Sequence, residues 1–197
     1  MTMQIDIRKL SLLNQMAKQG ASTVANHLNQ MTGMQAEMEI TKINFLEISD
    51  IRTHIGHEKQ VGIHIELVEQ PYGYILFLFT AKSAKQLAHG MMGGMGERSE
   101  NGFSDMEKSA VQEIGNIMTS GFIDGWANVL ETTIDFSTPE FTYGPGSKIV
   151  DSLVNHNDDV AMVVDSRVHV PESDVELKVY SFPELEELVG LMRQIEI

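Results

Sequence analysis

The stretch SDMEKSAVQEIGNIMTSGFIDGWANVL, Ser104 to Leu130, predicts a long helix near the middle of the chain. Ser104 and Glu107 have the spacing of a capping box, in which each side chain satisfies a backbone N–H at the start of a helix. Apolar residues then recur at helical spacing as far as about Leu130. The rest of the chain can be organised around this helix, because similar elements precede and follow it.

One face of this helix is polar. At 100° per residue, a group of polar side chains falls within about 60° on the helix surface. These side chains are Ser109, Glu113, Asn116 and Ser120. Apolar residues and glycines occupy the other side, so we expect that side to pack on a sheet and the polar stripe to face solvent or a partner. We expect Gly115, which weakens the helix, to let another protein approach this stripe closely. A solvated face without further role is the alternative interpretation.

The elements on either side of the central helix follow similar orders. Leu10 to about Gly33 predicts a first long helix, three alternating segments predict antiparallel strands, and Ala81 to Met91 predicts a short helix. After the central helix, the sequence predicts a strand in TTIDFSTPEF, a short helix in GSKIVDSLV, two further strands, and a last helix in PELEELVGLM. An offset of 98 residues superposes the two long helices.

This organisation predicts an α+β fold. We expect a pseudo-two-fold repeat of helix-strands-helix units that forms one antiparallel sheet with two long helices on its exterior. Residues 1–197 would form a single domain, with repeats at about 7–95 and 104–197 and a glycine-rich linker at about 90–103. Each half is small for burying its own apolar face, although two independent domains remain the alternative.

Charge and composition disfavour several classes of function. With 28 acidic and 14 basic residues, the net charge of −14 would repel nucleic acid and anionic membranes. The chain has no cysteine, which excludes disulfides, thiolate catalysis and cysteine-ligated zinc. The longest apolar run, YILFLF, is too short to span a bilayer, and the first residues lack the apolar run of a secretory signal. We interpret the protein as soluble and cytoplasmic, with no nucleic acid or membrane partner.

The polar stripe belongs to a longer pattern. Ser109 is followed after three residues by Glu113, after two more by Asn116 and after twenty-two more by Pro139. This spacing resembles the signature of the CheC, CheX and FliY family of chemotaxis phosphatases. A chance match should occur in roughly one sequence in several hundred of this length. The EIGNI core and the two-repeat organisation resemble the CheC type most closely.

The resemblance implies hydrolysis of the aspartyl phosphate on the response regulator CheY. It implies that Glu113 pairs with the lysine of the regulator's own active site and that Asn116 positions the attacking water, with Ser109 and Pro139 as supporting motif positions. It also implies that the chain needs no cofactor of its own and that Mg²⁺ is held by the regulator. Phosphorylated CheY would be the main partner, with CheD, a receptor-modifying deamidase, as a second and other chemotaxis or motor-switch proteins as further candidates.

The residue types suit this chemistry without the resemblance. An asparagine amide both donates and accepts hydrogen bonds, so it can hold a water in a fixed orientation without titrating. An acyl phosphate is already activated, so the catalyst mainly has to place water in line with phosphorus.

A non-catalytic adaptor that binds phospho-CheY, CheD or a motor component is the alternative, and a structural subunit of the flagellar switch is a third hypothesis.

The first repeat carries a degenerate copy of the pattern. An offset of 98 residues places Ser11, Gln15, Lys18 and Thr41 at the four motif positions, and only the serine is kept. Gln15 lacks the carboxylate, and Lys18 cannot orient water as a neutral amide does, although its charge could still bind a phosphoryl group. We therefore expect the first site to be inactive.

Histidines are the other candidates for chemistry. His54 and His57 flank a predicted loop, Glu58 is nearby, and His64 follows on a strand. A metal cluster is conceivable, but the sequence has no helical histidine pair with a supporting carboxylate. Loop histidines without a metal are the preferred interpretation, and no metal site is predicted.

Overall fold

The computed structural model describes residues 7–33, 35–93, 99, 102–153, 160–170 and 173–195. Within these ranges, each half of the chain has the order helix, strand, short helix, two strands, helix. The helices are α1 (Ile7–Thr32), α2 (Ile48–Ile55), α3 (Ala81–Met91), α4 (Asp105–Leu130), α5 (Gly146–Asp151) and α6 (Leu185–Gln194). The strands are β1 (Glu37–Glu47), β2 (Lys59–Leu67), β3 (Gly73–Thr80), β4 (Glu140–Pro145), β5 (Val160–Val170) and β6 (Ser173–Pro183).

The strands form one six-stranded sheet in the order β1-β5-β6-β3-β2-β4, with every pair antiparallel. Each half contributes a hairpin to the centre, β2 with β3 and β5 with β6. The first strand of each half pairs with the hairpin of the other half, so that β1 lies beside β5 and β4 beside β2. Exchanging the halves leaves the strand order unchanged, which is a pseudo-two-fold arrangement. The α+β fold class predicted from the sequence is confirmed.

The two long helices pack together on one face of the sheet. A β-carbon added at Gly121 would lie 2.7 Å from Cα of Val24, and one added at Gly125 would lie 2.5 Å from Cα of Gly20. Residue numbers rise along one helix as they fall along the other, so α1 and α4 are antiparallel and cross at backbone contact. Leu28, Phe122 and Trp126 are buried in the same core. The crossing places the amino-terminal halves of α1 and α4 at opposite ends of the pair.

The other face of the sheet is covered in part by the short helices α2 and α5. Ile51 and Ile55 of α2 join Ile149 and Val150 of α5 in a second buried cluster. The sequence interpretation missed α2, because it continued the strand through Ile48 and placed a loop after it. The sequence signal for this helix is the four-residue spacing of Ile51 and Ile55. This signal is weak, because two apolar residues at that spacing also occur outside helices.

The strand predicted in TTIDFSTPEF is wrong in its position. Phe136 makes only an isolated bridge to Leu67, and the hydrogen-bonded strand β4 begins at Glu140. Pro139 separates the two segments, and a proline cannot donate to a strand ladder. The backbone N–H of Ser137 donates to the carbonyl of Glu66 at 2.9 Å, so the segment still follows the end of β2.

The linker predicted at about 90–103 falls largely outside the described residues, because 94–98, 100 and 101 are not among them. Residues 90–93, 99, 102 and 103 of this segment are described.

The helix α3 precedes this segment. Its N-cap is Thr80, whose side chain accepts a hydrogen bond from the N–H of Ser83. In the described part of the chain, no helix has the length and apolar character that a membrane span requires.

Candidate functional site

The start of α4 is fixed by the predicted capping box. The N–H of Glu107 donates to Oγ of Ser104 at 3.2 Å, and the N–H of Ser104 donates to Oε2 of Glu107 at 2.8 Å. Glu107 is buried, and Nζ of Lys85 on α3 lies 4.0 Å from its Oε1. The cap and this ion pair hold the first turn against α3, so the rotation of α4 about its axis is set by buried contacts near the polar stripe.

Glu113 and Asn116 lie side by side on the outer face of α4. The Nδ2 atom of Asn116 donates to Oε2 of Glu113 at 3.4 Å, in an exposed setting. A carboxylate accepts but cannot donate, so the amide must turn its NH₂ group toward Glu113. The carbonyl oxygen of the Asn116 side chain therefore remains available to accept a hydrogen bond from a water or a partner.

The other members of the stripe frame this pair. Ser109 is exposed one turn before Glu113. The hydroxyl of Ser120 donates to the backbone carbonyl of Asn116 at 3.1 Å or to that of Ile117 at 3.2 Å, so it is satisfied by its own helix. Within the stripe, Glu113 and Asn116 are the pair whose side chains contact each other.

The proposed use of Gly115 is wrong. Gly115 is buried, and a β-carbon added to it would lie 2.6 Å from Cγ2 of Ile63 on β2. It faces the sheet, whereas Glu113 and Asn116 face away from it. The glycine lets α4 approach β2 closely, so it sets the height of the helix above the sheet and does not open a path to the polar pair.

Pro139 lies just before the neighbouring strand β4 and not on the helix surface. It is buried and directly precedes β4, whose Phe141 is paired with Ile63. Because Ile63 lies beneath Gly115, β4 runs along the edge of the sheet beside α4. The structure thus joins Glu113 and Asn116 directly, places Ser109 on the same face, and brings Pro139 in through the strand that borders the helix.

The degenerate copy occupies the equivalent place in the first half. Ser11, Gln15 and Lys18 are exposed on α1, and Thr41 lies on β1 where its hydroxyl donates to the carbonyl of Asp165 at 3.0 Å. Lys18 and Thr41 line a common groove of about 430 Å³ between α1 and β1. The fold therefore preserves the setting of the second site, while the side chains that would fill it are changed.

The histidines do not come together. His54 lies on α2, where Nζ of Lys178 is 3.2 Å from its Nε2, and burial together with the Lys178 charge holds the pKa of His54 below its ordinary value. Nδ1 of His57 lies 3.3 Å from the hydroxyl of Ser147, and His64 pairs with Glu140 at 3.2 Å. The described residues include no cluster of three or more histidine or acidic side chains that could hold a metal ion.

Two exposed apolar side chains lie near the polar stripe and were missed in the sequence. They are Met106 in the first turn of α4 and Tyr143 on β4. The signal for Met106 was its position on the helix, since a residue seven positions before Glu113 lies two turns away on the same face. No local signal marked Tyr143, because its place beside α4 depends on the pairing of β4 with β2.

Comparison with known proteins first defines the class of fold. The chain is similar to Thermotoga maritima FliY, with a TM-score of 0.79 and 17% identity over 98% of this chain and 97% of that one. It is also similar to the FliM middle domain of H. pylori, with a TM-score of 0.69 and 9% identity over 97% of this chain and 100% of the other. A CheC-like superfamily protein from Shewanella sp. PV-4 has a TM-score of 0.53 and 17% identity over 90% of this chain and 99% of that one. At these identities the likeness shows the fold.

Sequence similarity then gives the family. A model of the CheC-like family matches residues 106–143, a segment that contains Ser109, Glu113, Asn116 and Pro139. The chain is 49% identical to a Halobacterium salinarum protein named "Putative CheY-P phosphatase CheC1", over 99% of this chain and 100% of that protein. The chain belongs to the CheC-like family, as the resemblance of its motif indicated.

Proposed function

We propose that this chain hydrolyses the aspartyl phosphate of a CheY-type response regulator in chemotaxis signalling. The observation that carries this proposal is the Glu113 and Asn116 pair, which lies on the outer face of a helix with a capping box and whose amide is oriented by the carboxylate. The name of the Halobacterium salinarum relative, which assigns that protein to CheY-P, supports the choice of substrate.

The reaction needs little from the chain besides position. Water attacks phosphorus, the bond between phosphorus and the aspartyl oxygen breaks, and the carboxylate leaves with the bonding electrons. The attacking water's protons pass to the phosphate product and to solvent. Asn116 would accept a hydrogen bond from the water through its side-chain oxygen and hold it in line with the leaving carboxylate. The amide does not titrate, so it acts by orientation and not as a general base.

Glu113 contributes in two ways. It accepts from the NH₂ group of Asn116, which fixes the amide orientation. Its other carboxylate oxygen would pair with the lysine of the regulator's active site. A cation is needed there because a carboxylate and a phosphoryl group repel each other. The Mg²⁺ that such a reaction requires would be held by the regulator, and this chain would supply no metal ligand of its own.

The experiment that tests this function measures phosphate release from the phosphorylated regulator with and without the protein. A phosphatase accelerates release, whereas an adaptor that only binds leaves the rate unchanged. Repeating the assay with CheD tests whether that deamidase is a partner that alters the activity. Stable motor association without an effect on phosphate lifetime would favour the structural role instead.

The first half supplies a matched control for the same assay. We expect Lys18→Ala to change the rate by less than about twofold, because Lys18 is exposed and lies on α1 at the other end of the helix pair from Asn116. The measurement is kcat/KM for phosphate release. A large loss of activity in this variant would contradict a single working site and would assign a role to the first half.

A further inference from the structure

Two exposed apolar side chains lie near the amino-terminal end of α4. Met106 is 61% exposed and Tyr143 is 37% exposed. We call these two residues the Met106/Tyr143 patch. Scattered apolar side chains are common on protein surfaces and need no explanation. The positions of these two relative to Glu113 and Asn116 are what distinguish them.

Met106 lies beside Glu113 on the surface of α4, toward the start of the helix. At 100° per residue it falls about 20° from Glu113 and about 80° from Asn116 around the helix axis. It precedes Glu113 by seven residues, which corresponds to about 10 Å along the axis, and Asn116 by ten residues, or about 15 Å. The polar stripe therefore ends in an exposed thioether at its amino-terminal end.

The ring of Tyr143 packs against the buried side chain of Phe103. The two ring centres lie 5.2 Å apart, and Phe103 itself packs edge-on against Phe141 at 5.7 Å. Nζ of Lys85 on α3 lies 5.3 Å from the centre of the Phe103 ring. The same lysine forms an ion pair with Glu107, the residue that completes the capping box of α4. Phe103 comes three residues before Met106, so this anchored cluster joins the edge strand β4 to the start of α4.

We propose that the Met106/Tyr143 patch docks the phosphorylated response regulator beside Glu113 and Asn116. This proposal rests on the proposed function. A protein interface of standard size covers about 800 Å² per partner, equivalent to a disc of roughly 16 Å radius. A regulator centred between Glu113 and Asn116 therefore covers Met106 as well. Methionine and tyrosine are both enriched at interfaces, where they bury large areas with adaptable packing.

The charge of the chain favours the same division of roles. A net charge of −14 gives little general attraction for a partner that carries a negative phosphoryl group. Glu113 can attract only the regulator's local cation, so apolar burial at the patch supplies affinity that the electrostatics do not. The patch sets how tightly the regulator binds, and Asn116 sets how fast the bound phosphate is hydrolysed.

The test compares the double variant Met106→Gln/Tyr143→Gln with Phe45→Gln. Phe45 is the matched control because it precedes Tyr143 by the repeat offset of 98 residues, lies on the edge strand β1 and is 47% exposed. The binding probe is the regulator carrying beryllofluoride in place of its phosphoryl group. We expect the double variant to raise both Kd and KM roughly tenfold with kcat unchanged, and Phe45→Gln to leave all three unchanged.

The outcomes separate this proposal from the proposed function. Weaker regulator binding in the double variant supports the patch, whether or not the wild-type protein accelerates phosphate release. If the wild-type protein does not accelerate release, the proposed phosphatase function is refuted and the patch is not. Unchanged Kd and KM overturn the patch even when phosphate release is confirmed. An equal effect of Phe45→Gln also overturns it. So does self-association of the wild-type protein that the double variant abolishes without any change in regulator binding, since the occupant would then be a second copy.

Discussion

Asn116→Ala should remove most of the acceleration of phosphate release while leaving the regulator bound. The side chain is exposed and contacts Glu113 on the outer face of the helix, so its loss does not disturb the core. What disappears is the group that orients water, and the loss of orientation alone costs about a hundredfold or more in rate. The measurement is kcat for phosphate release together with Kd for the beryllofluoride-loaded regulator.

A second variant separates orientation from docking. Glu113→Gln keeps a side chain that can accept from the amide of Asn116 but removes the charge that would pair with the regulator's lysine. We expect it to raise KM more than it lowers kcat, the reverse of Asn116→Ala. If Asn116→Ala retained the full rate, water positioning by this residue would be wrong. If Glu113→Gln retained the wild-type KM, the docking role would have to be abandoned.

The central helix and its polar pair were predictable because their signals are local. The capping box of Ser104 and Glu107 depends only on residues three apart, and the structure has both of its hydrogen bonds. The spacing of Glu113 and Asn116 likewise determines that they share a face, whatever the helix packs against. Both side chains point away from the sheet because the buried residues between them, Ile114 and Gly115, face it.

The errors arose where tertiary contacts decide. The sequence indicates that Gly115 lacks a side chain but not which neighbour uses the space, and that neighbour, Ile63, is 52 residues away. The start of β4 depends on pairing with β2, which Pro139 delays. The Met106/Tyr143 patch depends on the same pairing, because only the edge position of β4 brings Tyr143 beside α4.

The exchange of strands between the halves has the same origin. The repeat in the sequence predicts two similar units but does not say whether each keeps its own first strand. In the structure β1 lies beside β5 and β4 beside β2, so each half completes the sheet of the other. The crossing of α1 and α4 is a second place where the two halves fit together, and there they meet at backbone distance.

That crossing predicts the largest effect on stability. We expect Gly125→Ala to lower the free energy of unfolding by about 2–3 kcal/mol, because the new β-carbon would lie 2.5 Å from Cα of Gly20 and 2.7 Å from the carbonyl carbon of Gln19. These neighbours are backbone atoms, so the strain is relieved only by moving the helices apart and loosening the core around Phe122. Chemical denaturation followed by the fluorescence of buried Trp126 measures the change.

Gly190→Ala is the matched control for this prediction. Gly190 also lies within a helix, α6, but a β-carbon added there would meet no atom within 4 Å. Alanine favours the helix over glycine by about 1 kcal/mol, so this variant should be more stable than the wild type. The same propensity gain acts at Gly125, and a net loss there must therefore come from contact with α1. If both variants were stabilised alike, the two long helices would not cross at backbone contact, and the pseudo-two-fold packing that relates the Glu113/Asn116 site to the degenerate one would need another basis.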